Sequence, residues 1–237
     1  MESLSDPANA MNRLLHRLRR SSLHRRAACS FILVVTTSLS AQQVSRALFT
    51  GKDLAGWQQV GPGSFVVKDG MMKTEGGMGM LWYTREKIAH ATVRVVFKLT
   101  AKESDSGVFI RIPEKPTEPW MPINRGYEVE IGDWPDDYSC TGVLYTFTKA
   151  LARPIKPIGE WNTMEITIDG PRTIVYLNGV KVTDFTEGQP VPAKPAGSHD
   201  PDRGARPDSG FIGLQNHPGS DVYFREVSVT PLSNQVK

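Results

Sequence analysis

The sequence predicts an all-β protein, an antiparallel β-sandwich, and three observations carry that prediction. Apolar and polar residues alternate with period two through many short segments, the period of a half-buried strand. Asp-Gly and Asn-Gly pairs separate several of these segments, the chemistry of tight hairpins. After residue 41 no stretch keeps a helical repeat. Many strands with few helices pack as two facing sheets.

The elements follow in order. Phe65 to Lys68 alternates and runs into Asp69-Gly70, and Met71 to Thr74 reads as its return. Leu81 to Tyr83 is a short apolar strand, and Thr92 to Leu99 a longer one. Val108 to Ile112 follows Ser106-Gly107. Tyr127 to Ile131, Gly142 to Phe147, Met164 to Ile168, Thr173 to Leu177 and Lys181-Val182 complete the middle of the chain. Asp169-Gly170 and Asn178-Gly179 supply hairpin turns. Gly210 to Gln215 and Val222 to Thr230 close it. Parity places Val108, Ile110, Val129, Ile131, Ile166, Ile168, Ile212 and Leu214 between the sheets. Trp57 and Trp161 are assigned to packing.

Residues 1–41 read differently. Six arginines lie between Arg13 and Arg26, a short apolar run follows from Ala27, and Ser38 to Ala41 is small. A basic region, an apolar region and a small-residue exit describe a secretory signal peptide. The run is too short to span a bilayer. Export to the periplasm or the medium is expected, with a mature chain starting near Ala41 or Gln42 and one domain over 42–237. The whole chain has 28 Lys+Arg and 25 Asp+Glu. Removing the six arginines and two acids of residues 1–40 leaves 22 and 23, a net charge of −1. No basic patch then argues for nucleic acid, and no membrane association is expected once the leader is gone. Cys140 alone remains, so the mature monomer has no disulfide and its core must hold it. Thr186 to Ser209, rich in Pro and Gly, is a long loop inside the domain, which suits a functional segment.

The chemistry concentrates where strands place polar groups on their outer faces. In Arg125-Gly-Tyr-Glu-Val-Glu-Ile-Gly-Asp133, Val129 and Ile131 face the core, so Glu128 and Glu130 face out. Two positions apart is roughly 6.5–7 Å along a strand, near the ~5–9.5 Å carboxyl spacings of glycoside hydrolases. The same parity sets Gly107, Phe109 and Arg111 on one face and Gln215 with His217 on another. Arg111, Glu128, Glu130, Gln215 and His217 are therefore expected to line one concave sheet face. Trp82, Trp120, Trp134 and Tyr145 are candidate aromatic platforms. Rings take the apolar face of a sugar, and planar polar side chains take its hydroxyls. Histidine suits proton transfer near neutral pH. No nucleophile elbow, phosphate loop, dinucleotide fingerprint or Cys/His metal spacing is present.

Seven segments in order carry a resemblance. They are Leu48-Phe-Thr-Gly-Lys-Asp-Leu-Ala-Gly-Trp57, Ser106-Gly-Val-Phe-Ile-Arg111, Gly126-Tyr-Glu-Val-Glu-Ile131, Thr141-Gly-Val-Leu-Tyr145, Gly159-Glu-Trp-Asn162, Leu177-Asn-Gly179 and Gly213-Leu-Gln-Asn-His217. Over about residues 47–232 the chain resembles the 3-keto-disaccharide (3-keto-glucoside) hydrolase family. The resemblance implies a concanavalin A-like jelly roll, bacterial export and action on oxidised glucosides. Many members carry Gln where this chain has Glu130, which makes Glu128 the firmer catalytic assignment. A ketone at C3 acidifies the C2 proton, so a base can remove it while the C1 oxygen leaves and water adds later. In that chemistry Glu128 is the base, Arg111 with Gln215 stabilises the enolate, and His217 is the acid. Direct hydrolysis by Glu128 and Glu130 is the competing course.

Two other functions fit the same surface. One is a non-catalytic carbohydrate-binding module, which needs the rings and planar groups but no titrating pair. The other is a conventional glucanase of this fold, whose Glu-x-Asp-x-Glu pattern is replaced here by Glu-x-Glu and then Gly132-Asp133. The expected partner is a small carbohydrate. No cofactor is implied beyond a structural Ca²⁺, common on this fold class, for which no acidic cluster is dense enough to name ligands.

Overall fold

The computed structural model describes residues 43–233, and the leader expected at 1–41 lies outside them. Thirteen strands and one short helix appear among the described residues. They are β1 (Arg46–Ala47), β2 (Trp57–Val60), β3 (Ser64–Lys68), β4 (Met71–Glu75), β5 (Gly79–Tyr83), β6 (Ala91–Leu99) and β7 (Asp105–Ile112), then α1 (Met121–Arg125). β8 (Tyr127–Gly132), β9 (Asn162–Asp169), β10 (Arg172–Leu177), β11 (Val180–Thr186), β12 (Phe211–Asn216) and β13 (Val222–Pro231) follow. The larger sheet runs β11-β10-β9-β6-β13-β4-β3, with β1 added to β13, and the smaller runs β2-β5-β12-β7-β8. Every pairing is antiparallel.

The hairpin chemistry acts as the sequence indicates. Asp69 and Gly70 both take positive φ between β3 and β4, and Asn178 and Gly179 do so between β10 and β11. That pair of angles is what a two-residue type I′ turn demands. The eight residues assigned by parity to the space between the sheets are all at most 1% exposed and share one apolar cluster. Such burial is worth roughly 1.5–3 kcal/mol per large aliphatic side chain. Trp57 also packs there, its indole N–H donating to the Leu48 carbonyl at 2.8 Å and its ring edge-on to Tyr83.

Four expectations are corrected, and a fifth, for Trp82, with the site. Gly142 to Phe147 is not a strand but a series of turns along the free edge of β8. Gly142 and Thr146 sit at φ 93° and 61°, which breaks strand geometry. The segment still satisfies that edge: Glu130 N donates to Val143 O, and Gly142 and Tyr145 donate back to Glu130 O and Glu128 O. Trp161 is not core. It lies on the outer face of the larger sheet, with Lys98 and Arg225 stacked over its ring at 5.0 and 4.6 Å. The helix α1 was not expected, since five residues are too few to show a repeat. It sets Met121 and Ile123 on the outer face of the smaller sheet, against Met80, Trp82, Phe109 and Ile112. The fourth concerns Arg111 and belongs with the site. Among the described residues no helix is long and apolar enough to cross a membrane.

Candidate active site

The second apolar cluster covers one half of the smaller sheet's outer face and leaves the other half open. The open half is a cleft of about 270 Å³. Strand parity supplies its floor. Asp105 comes from β7, Glu128 and Glu130 from β8, Gln215 from β12 and His217 from just beyond it. Trp120, Trp134, Ser139, Tyr145 and Ile123 wall it. Trp120 precedes α1 and stands 47% exposed at the rim.

Glycine makes the floor deep enough for a second carboxyl. A Cβ on Gly107 would lie 2.2 Å from Glu128 Oε1, and one on Gly132 would lie 2.2 Å from the Trp134 indole nitrogen. Both are far inside any real contact, so only glycine lets Glu128 and Trp134 lie flat against the sheet. Glu128 Oε1 and Gln215 Oε1 are buried without a protein partner. Orphaned buried acceptors are uncommon and mark places where a ligand is missing from the count.

Three acids meet here, and burial decides their protonation. Glu128 and Glu130 are 5% and 4% exposed. Loss of water pushes both carboxyls well above the usual range, and the charges of their neighbours push them further. Glu130 faces Asp105, whose carboxyl favours its neutral form, and the Trp134 indole, which favours its ionised form. Asp105 is also raised, mainly by burial, but less so. His217 and the hydrogen bond from Glu130 favour its ionised form. His217 Nδ1 stands 3.7 Å from Asp105 Oδ2, a charge-pair distance rather than a hydrogen bond. Burial likewise pushes the Tyr145 phenol up to about 12, so it enters the cleft as a neutral donor. Burial thus favours the neutral form of all three carboxyls, most strongly that of Glu128 and Glu130, beside a histidine in one pocket. Among the described residues no group of three or more His, Cys, Asp or Glu is arranged to hold a metal ion.

The structure thus brings together Glu128, Glu130, Gln215, His217, Tyr145, Trp120 and Trp134. It leaves out two expected members. Trp82 does share the sheet face but lies under α1, edge-on to Phe211 at 5.0 Å, and is 4% exposed. Arg111 is turned away by a β-bulge. Phe109 pairs with Gly213 and Ile112 with Phe211, so Ile110 and Arg111 together oppose Ile212. Arg111 takes φ 57°, and the extra residue sends its side chain inward. Its guanidinium donates to the carbonyls of Gly170, Arg172 and Pro207 and to Thr173 Oγ1, at 2.8–3.2 Å. It ties the bulge to the β9–β10 turn and to the end of the long loop. Asp105 was missed, although extending the parity of Gly107 and Phe109 back by two residues finds it.

Comparisons with known proteins agree with the fold and extend it. The model of the 3-keto-α-glucoside-1,2-lyase-like domain matches residues 44–230. No curated protein matches the chain. A candidate glycosyl hydrolase from Parabacteroides distasonis superposes with a TM-score of 0.65 at 26% identity, over 80% of this chain and 100% of that one. A second from the same organism gives 0.66 at 24% identity, over 80% and 94%. A Bacillus subtilis protein of unknown function with a galectin-like fold gives 0.54 at 13% identity, over 79% and 94%. The sandwich is therefore of the galectin and concanavalin A-like jelly-roll type.

Proposed function

We propose that this chain, which belongs to the 3-keto-α-glucoside-1,2-lyase-like family, is a glycoside-cleaving enzyme acting on 3-keto-glucosides. The observation that carries the reading is the buried Glu128–Glu130 pair beside Asp105 and His217 in one cleft. A sugar-binding surface needs rings and hydrogen bonds, both present. It has no use for two carboxyls held in their neutral form at the cost of burial.

Burial exchanges the roles that the family resemblance implied for Glu128 and His217. A carboxyl held protonated is a donor, so Glu128 gives its proton to the glycosidic oxygen. His217, beside the Asp105 carboxylate, takes the C2 proton that the C3 ketone has acidified. The C2–H electrons pass onto the C3 oxygen as an enolate and then return, forming the C1=C2 bond as the C1–O bond breaks, and the aglycone leaves as an alcohol with the proton from Glu128. Tyr145, as a neutral phenol, is placed to donate to the enolate oxygen. Water then adds at C1 and returns a proton to C2. Direct displacement would need one carboxylate ionised as nucleophile or base, which the burial of both Glu128 and Glu130 disfavours. The basic and apolar character of residues 1–41 supports action outside the cytoplasm.

The test offers the protein 3-keto-trehalose beside trehalose. Cleavage of the oxidised sugar alone, slowed by deuterium at C2, is expected. Cleavage of trehalose at a comparable rate would overturn the substrate class, and a normal rate with the deuterated substrate would overturn the elimination. Glu128→Gln separates acid from base. As the acid it is needed for an alkyl leaving group, with kcat falling by roughly 10²–10⁴-fold, and dispensable for 4-nitrophenoxide, which leaves unaided. Equal losses on both substrates would make Glu128 the base.

A further inference from the structure

We infer that Arg153 is a positioning residue of the cleft: it fixes the segment after β8 that carries Trp134, and so sets that indole against Glu130 and against whatever the cleft binds. The effect on turnover rests on the glycoside cleavage proposed above, whereas the placement of Trp134 does not. Trp134 walls the cleft from outside any strand, two residues past the end of β8. No sheet ladder holds it, so its position must come from elsewhere.

One guanidinium supplies the hold. Arg153 Nη1 donates to the Trp134 carbonyl at 2.9 Å, Nη2 to the Pro135 carbonyl at 2.6 Å and Nε to Asp137 Oδ1 at 3.0 Å. Among the described residues no other hydrogen bond reaches the backbone of Trp134 or Pro135. Asp137 has further anchors: its carbonyl takes the Ala150 N–H at 2.9 Å, and Lys149 stands 3.4 Å from its carboxylate. Without Arg153 the Asp137 end of the segment therefore stays tied, and the Trp134 end does not. Three acceptors taken by three nitrogens suit the planar fork of arginine, whereas a lysine ammonium is a point charge on a flexible stem.

The ring depends on that backbone. A Cβ on Gly132 would lie 2.2 Å from the indole nitrogen, so the ring rests on β8 itself. On its cleft side the indole faces Glu130 and favours the ionised form of that carboxyl. Behind it Arg153, Cys140 and Ile155 line a void of about 20 Å³, room for about one water. Removing the Arg153 side chain enlarges the void and gives the ring a place to move. A shift of about 1 Å in a group that orients the reactants costs roughly 10²-fold in rate.

A double-variant cycle tests whether Arg153 acts through Trp134. Arg153→Ala should lower kcat/KM for 3-keto-trehalose by roughly 10²-fold per folded molecule, and Arg153→Lys should not restore it. Trp134→Ala should lose at least as much, and the double variant no more than Trp134→Ala by itself. Wild-type turnover in Arg153→Ala, restoration by lysine, or losses that multiply in the double variant would each overturn the inference. If the wild type does not cleave 3-keto-trehalose, the glycosidase reading has failed, and NMR of the isotope-labelled indole N–H groups decides the placement alone. The signal lost in Trp134→Phe is that of Trp134. It should move in Arg153→Ala while the signals of Trp57, Trp82 and Trp161 hold. An unmoved Trp134 signal, or equal movement of all of them, would overturn the inference.

Discussion

Replacing Glu130 by Gln should make the protein more stable above neutral pH while leaving it unchanged in acid. The substitution keeps the shape and both partners. The amide offers an N–H to Asp105 and an oxygen to the Trp134 indole, the two groups that Glu130 faces. The folded pKa of Glu130 is raised by burial, then by Glu128 and Asp105. In the unfolded chain it returns to about 4.3. Below that value both states hold the proton, and burial costs no charge. Above it the unfolded state ionises first, so the native state binds more protons and stability falls as pH rises. Each pH unit between the unfolded and folded pKa removes about 1.4 kcal/mol, and the loss levels off once the native group ionises. Glu128 titrates with it, so the protons leave as a pair. Removing one member also lowers the other. Urea midpoints taken from pH 4.5 to 8 read this directly. Wild type and Glu130→Gln should agree within about 0.5 kcal/mol at pH 4.5, then diverge in the variant's favour. Turnover should stay within about tenfold, because Glu128 retains the transferable proton. Parallel stability curves, or a variant less stable at pH 8, would refute the burial argument on which the acid assignment depends.

Arg111→Ala should destabilise by roughly 3–5 kcal/mol, the range for removing one side of a buried charged network, because four acceptors lose their donor. Turnover per folded molecule should hold, read as specific activity against folded fraction by circular dichroism; a catalytic collapse at full stability would return Arg111 to the cleft. Gly107→Ala inserts a methyl 2.2 Å from Glu128 Oε1 and should move that carboxyl, costing about 10²-fold in kcat against overpacking of only about 1–3 kcal/mol. Wild-type kcat in Gly107→Ala would show that the position of Glu128 is not critical.

How legible this site was in the sequence depends on the range of the force involved. Parity is local, and it located Glu128, Glu130 and Gln215 on one face and eight core residues on the other without error. It failed at Arg111, where one inserted residue reverses the later side chains of the strand, so Arg111 turns inward and Ile112 outward against α1. Nothing in Ile110-Arg111-Ile112 announces a bulge, because the cause lies in the pairing with β12 and in the acceptors that await the guanidinium on the opposite sheet. Trp82 failed for a related reason: the face was right, but α1, thirty-nine residues later, covers it. Protonation is less local still. An alternating Glu-x-Glu reads as a solvated, ionised pair until α1, Trp134 and the turns around Tyr145 close over it. The family resemblance implied Glu128 as the base, a role that needs an ionised carboxylate. Burial favours its neutral form, the form that the proposed acid role needs, and favours that of Asp105 less strongly. The pocket's acid–base polarity thus comes from residues that never touch the reacting bond, which is why Gly107, Gly132 and Trp134 constrain the chemistry as tightly as the carboxyls they position.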